Sequence, residues 1–220
     1  MRPQPDATCG LCPRLREFRI AQQAAEPIWF NAPVPSFGAS GARLLVVGLA
    51  PGLRGANRTG RPFTGDFAGE VLYPALLRHG LATGSFAARI DDGLALPDCR
   101  ITNAVRCVPP ANRPLPAEIA NCRPFLCAEL GGDAAPSLVL ALGRIAHDTV
   151  LRALGLTLKA YPFRHGAEHH LPAGQTLLSS FHTSRYNINT GRLTTAMFDT
   201  VVMRAAELLR MPQRGAAGVS

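Results

Sequence analysis

The chain has almost no lysine. Lys159 is the only one among 220 residues, and arginine supplies the other basic side chains. A Walker-type phosphate loop needs Gly-Lys-Ser/Thr and is therefore excluded. No run of about 18 apolar residues occurs, which excludes a transmembrane helix. The start, Met1-Arg2-Pro3-Gln4-Pro5-Asp6, lacks the apolar segment of a secretory signal, so a reducing compartment is expected. Internal repeats and low-complexity linkers are also missing.

What is present describes one globular domain. The hydrophobic fraction is 47% and the charged fraction 17%, far from a disordered composition. A chain of this length buries roughly 70% of its unfolded surface and needs no covalent staple to fold. Net charge is +8, from 23 basic and 15 acidic residues. A coding bias explains arginine in place of lysine as readily as function does, but it does not explain the positive sum. That sum points to a polyanion partner. Six cysteines, at 9, 12, 99, 107, 122 and 127, are many for a reducing compartment. Metal or cluster binding is expected of them rather than disulfides.

The apolar, β-branched runs 43–48, 99–105, 137–142 and 176–181 read as buried strands. Helical patterns lie between or after them, over 67–80 with Asp66 as N-cap, and over 116–130, 144–154 and 193–209. Pro74 and Pro124 are expected to kink their helices. This alternation predicts an α/β fold, a single-domain three-layer α/β/α sandwich with a central four-stranded parallel sheet. The domain is expected to span 1–210, and the Gly/Ala-rich segment 211–220 to be a loose tail. Ligands of such sheets bind beyond the carboxyl ends of the strands, where three unusual polar segments fall.

Gly48-Leu49-Ala50-Pro51-Gly52 opens a loop running to Asp66 that holds five glycines and three arginines. Its glycines let backbone N–H groups approach a ligand. Taken singly, Phe63 reads as a core plug and Asp66 as a helix cap. Asn103 ends the second strand and can read an amide-like edge, or merely cap a turn. His182 follows the fourth strand and can donate to developing negative charge, or be a structural histidine. Cys9 and Cys12 form a C-x2-C pair. With Cys107 and Cys122 they can hold zinc or a [4Fe–4S] cluster, and spacing does not separate the two. Cys99 and Cys127 are read as buried small hydrophobes. His165, His169 and His170 only superficially resemble a metal cluster.

Together, Gly48–Gly52, the run Asn57-Arg58-Thr59-Gly60-Arg61-Pro62-Phe63-Thr64-Gly65-Asp66, Asn103–Asn112 and His182-Thr183-Ser184-Arg185-Tyr186-Asn187 resemble the family 5 (type b) uracil-DNA glycosylases. The likeness runs from about Cys9 to Met203. Leu49 stands where family 4 carries an acid, which shifts water activation to Asp66. The resemblance implies a [4Fe–4S] cluster on Cys9, Cys12, Cys107 and Cys122, with zinc as the alternative. It implies a DNA partner and removal of uracil, with hypoxanthine and xanthine as further substrates. In that reading Phe63 stacks on an extruded base. Ala50 and Gly52 N–H groups and His182 bind a pyrimidine oxygen, and Asn103 falls at a uracil-reading position of family 4. Asp66 and Asn112 position water, and Arg54, Arg58, Arg61 and Arg185 touch phosphates. A cytoplasmic, nucleoid-associated monomer is expected. Two rivals remain at this point: a cluster-bearing nucleic-acid-binding module without catalysis, and a flavodoxin-like redox protein.

Overall fold

The computed structural model describes residues 3–211. The expected tail lies outside the described residues from 212 onward. In chain order the elements are α1 (Pro13–Ala25), β1 (Phe37–Gly38), β2 (Leu44–Gly48), α2 (Ala56–Thr59), α3 (Phe67–Arg78), β3 (Cys99–Asn103), α4 (Pro116–Leu130), β4 (Leu138–Leu142), α5 (Arg144–Ala153), β5 (Glu168–His170), β6 (Thr176–Ser180), α6 (Arg185–Asn189) and α7 (Thr195–Arg210).

The sheet has six strands in the order β1-β3-β2-β4-β6-β5. Its middle four, β3-β2-β4-β6, are parallel, as the alternation predicts. The four-strand count needs correction: β1 and β5 add short antiparallel edges. They are two and three residues long, and neither carries an apolar run that would announce a strand.

Period-two alternation assigns the layers. Leu44, Val46, Leu138 and Leu140 face α3 and α7, packing on Leu72, Leu76, Phe198 and Val202. Leu45, Val47, Val139 and Ala141 face the other way, onto Leu126, Leu130, Val150 and Leu151 of α4 and α5. Strands buried on both faces read as continuous apolar runs, which is why β2 and β4 stand out most clearly in the sequence, while β3 and β6 carry polar residues among their buried ones.

Asp66 caps α3 as expected, its Oδ1 accepting from the Gly69 N–H at 3.2 Å. Both α3 and α4 continue past their internal prolines. α4 starts where the Glu118 carboxylate accepts the Leu115 N–H at 2.7 Å.

Candidate active site

A cavity of about 390 Å³ opens beyond the carboxyl ends of β2, β3 and β6. Register brings its walls together: Gly48 of β2 lies opposite Asn103 of β3. The pairing continues past the strands through Ala104 N–H to Gly48 O and Val105 N–H to Leu49 O, both 2.9 Å. Ala50, Gly52, Phe63, Asp66, Asn103, Asn112, His182 and Arg185 all line this one cavity. The N–H groups of Ala50 and Gly52 find no acceptor among the described residues.

Phe63 sits in the left-handed region at φ +54°, where a bulky residue is strained. Its neighbours hold it there. Arg61, 3% exposed, donates to both carboxylate oxygens of Asp92 at 2.8 and 2.7 Å, and to Thr64 Oγ1 at 2.7 Å. Tyr73 Oη donates to Pro62 O at 2.5 Å. The arginine pair holds the Asp92 carboxyl well below the usual range, while burial pushes the Tyr73 phenol up. Gly69 completes the seat, since a Cβ there would collide with the Phe63 carbonyl.

Asn103 is 3% exposed, and its Oδ1 has no hydrogen-bond partner among the described residues. A buried amide oxygen left unsatisfied costs about 1–3 kcal/mol, so it awaits a donor. His182 lies 6.2 Å from the Phe63 ring, centroid to centroid, and its imidazole makes no hydrogen bond among the described residues. Burial lowers its pKa to about 4, so the ring is neutral near pH 7. Asn187 Nδ2 fixes the backbone by donating to His182 O at 2.8 Å, and Thr183 Oγ1 ties the same loop to Ala68 O at 3.2 Å. Burial raises the Asp66 carboxyl above the ordinary range, against the lowering effect of the Gly69 and Ala68 N–H groups.

The cysteines form a second centre. Cys9, Cys12, Cys107 and Cys122 surround a small void with Leu15, Val105 and Phe125. Cys12 is the N-cap residue of α1, Cys107 follows β3 and Cys122 lies on α4, so the four thiols bring the N-terminal segment beside the loop after β3 and α4. Arg106 N–H donates to Cys122 Sγ at 3.4 Å, and Asn121 Nδ2 to Cys12 Sγ at 3.7 Å. Burial pushes the thiols of Cys107 and Cys122 up to about 12 and about 11. Among the described residues no three His, Cys, Asp or Glu side chains are set to hold a single ion.

The model of the uracil DNA glycosylase superfamily matches residues 35–206. The chain belongs to this superfamily. It is 48% identical over 206 residues to the type-5 uracil-DNA glycosylase of Thermus thermophilus, covering 91% of this chain and 93% of the relative. It is 42% identical to the type-5 enzyme of Pyrobaculum aerophilum, over 90% and 88%. The type-4 enzyme of the same organism is 35% identical over 56% of this chain and 55% of its own. The chain therefore stands with the type-5 members of the superfamily.

Against this uracil-DNA glycosylase framework, two residue assignments need correction. Arg61, expected to touch phosphate, is buried beneath the loop and paired with Asp92. Cys127, expected to be buried, is exposed on α4, whereas Cys99 is fully buried in β3. Arg54, Arg58 and Arg185 are exposed at the rim, with the Arg185 guanidinium 5.2 Å over the Phe67 ring. Asn112 lies in a short 3-10 turn at φ +56°, exposed at the cavity mouth. Asp92 has no local signal in the chain, because its partner lies 31 positions away.

Proposed function

We propose that this chain removes uracil from DNA by hydrolysing the N-glycosidic bond of an extruded nucleotide. The observation that carries the reading is the orphaned Asn103 Oδ1, 3% exposed, in the same cavity as a neutral imidazole, a phenyl ring and a lone carboxylate. Uracil offers an N3–H for that oxygen. Phe63 supplies a stacking face worth about 1–3 kcal/mol. As the bond to the sugar lengthens, the base gains negative charge and the deoxyribose positive charge. The Ala50 and Gly52 N–H groups and the His182 N–H stabilise the first, and preorganised donors of this kind are worth roughly 3–4 kcal/mol each. Asp66 stabilises the second and, with Asn112, orients water. Arg54, Arg58 and Arg185 meet phosphates. An exocyclic amine converted to a carbonyl gives hypoxanthine and xanthine a similar edge, and these are proposed as further substrates.

The four cysteines fit a [4Fe–4S] cluster. Four soft donors converge from separate segments on an apolar void, with N–H donors directed at two sulfurs. Tetrahedral zinc, the alternative, would draw every sulfur to about 2.3 Å from one point. The cluster would join the N-terminal segment, the loop after β3 and α4. The bond cleavage itself is assigned to the cavity residues.

Release of free uracil from a deoxyuridine-containing oligonucleotide, leaving an alkali-labile site, tests the reading. Intact DNA after prolonged incubation with iron-replete protein overturns it. Binding without release would favour the non-catalytic module.

A further inference from the structure

The glycine-rich loop and the catalytic side chains fit one another in a way the motif alone does not explain. Each side chain occupies the space where a glycine lacks its own. A Cβ on Gly55 would lie 2.8 Å from Asp66 Cγ, and one on Gly52 would lie 3.0 Å from Asp66 Oδ2. Real Cβ atoms essentially never come closer than 3.0 Å to another heavy atom. A Cβ on Gly48 would meet a different pair, 2.7 Å from Phe63 Cζ and closer still to Asn103 Oδ1. By contrast, a Cβ on Gly41, just before β2, would meet nothing within 4 Å.

We propose that the loop is a mould with two separate seats: Gly55 and Gly52 are positioning residues for the Asp66 carboxylate, and Gly48 is the positioning residue for Phe63 and Asn103. The proposal rests on the functional reading above for what the seated groups do, but not for where they sit. Asp66 is held at its other oxygen by the Gly69 N–H, which fixes where α3 begins. With Oδ1 anchored to the helix, the carboxylate has little room to retreat from a methyl group at position 55. The direction left open to it is the cavity, so a methyl group at position 55 drives the carboxylate out of its seat toward the cavity mouth. Asn103 is likewise confined, since it is buried on β3 and lies in register with Gly48.

The two seats predict opposite kinetic signatures. A misplacement of about 1 Å can lower a rate by roughly 100-fold. Gly55→Ala is therefore expected to lower the single-turnover cleavage rate at saturating enzyme by about 100-fold, with DNA affinity nearly unchanged. Gly52→Ala has the milder contact and is expected to do the same to a smaller degree, and Gly41→Ala nothing. Gly48→Ala is expected to weaken capture of the uracil nucleotide on the order of 10-fold, through displaced stacking and base reading. A double-mutant cycle then separates positioning from general damage. Once Asp66→Gly is in place, which removes the Cβ as well as the carboxylate, Gly55→Ala should add no further loss. Independent losses that multiply, equal effects on rate and affinity, or wild-type kinetics in Gly55→Ala overturn the proposal.

Carbon NMR titration of the Asp66 carboxyl reads the seat without any substrate. The wild-type group should titrate above the ordinary aspartate range. In Gly55→Ala it should move back toward that range as the carboxylate is driven out. An unchanged titration overturns the mould even if uracil is released. Absence of uracil release with the titration shifted as expected overturns the functional reading and leaves the mould standing.

Discussion

Asp66 shares its carboxylate between two tasks: one oxygen caps α3, and the group as a whole lines the cavity. Removing it should expose the difference between binding and chemistry. Asp66→Ala is expected to lower single-turnover excision by about 100-fold or more while duplex affinity stays within a few-fold, as measured by fluorescence anisotropy. His182→Ala should slow bond cleavage more than it weakens binding, by roughly 100-fold or more in rate. The pH profile has a defined sign. In the proposed role Asp66 acts as the ionised carboxylate, whose pKa burial raises, so the rate is expected to fall as pH drops, with a midpoint above the ordinary aspartate range. His182, held at about 4, remains neutral through neutral pH and does not set a limb there. Their places at the ligand-binding rim are legible in the sequence, because one follows a recognisable strand and the other precedes a recognisable helix; the roles proposed for them come from the family resemblance, since alone each reads as a structural histidine or a helix cap. The place of Arg61 is not legible, since a guanidinium in a basic loop looks the same whether it meets a phosphate or the Asp92 carboxylate 31 positions later.

Between β2 and α3 the chain has only the single-turn α2 as regular structure, and buried polar contacts hold the rest. The Arg61–Asp92 pair is their centre, with side-chain exposures of 3% and 0%. Breaking such a pair leaves an uncompensated buried charge, which typically costs about 3–5 kcal/mol. Asp92→Ala should therefore lower unfolding stability by about that amount in urea melts, and Phe63 should lose its enforced backbone. The folded Asp92 pKa is depressed, so this contribution is present above about pH 4 and declines as pH falls through the unfolded value toward the folded one. At this scale the four parallel strands and α3, α4, α5 and α7 can be read from apolar runs and caps. α1 cannot, because only Leu15 and Arg19 of its thirteen residues are buried, leaving no apolar stripe to detect. α7 begins at Thr195 rather than Leu193, because the Thr194 hydroxyl accepts the Met197 N–H at 3.1 Å.

For the whole molecule, charge and the cysteine centre set the expectations. Removing one arginine that meets a phosphate should reduce the slope of log affinity against log salt by about 0.9. Substituting Arg54, Arg58 or Arg185 by Gln tests each of the three in turn. Cys122→Ala should abolish visible absorption near ~400 nm, and thermal melting should show loosening of the N-terminal segment. The two short outer strands have a different consequence. β1 and β5 run opposite to their neighbours and cover the long rims of β3 and β6 with two and three residues. Little unpaired backbone is then offered to another copy, and such brief edges are poor templates for intermolecular pairing. Edge-to-edge zipping of one copy onto the next is thereby disfavoured.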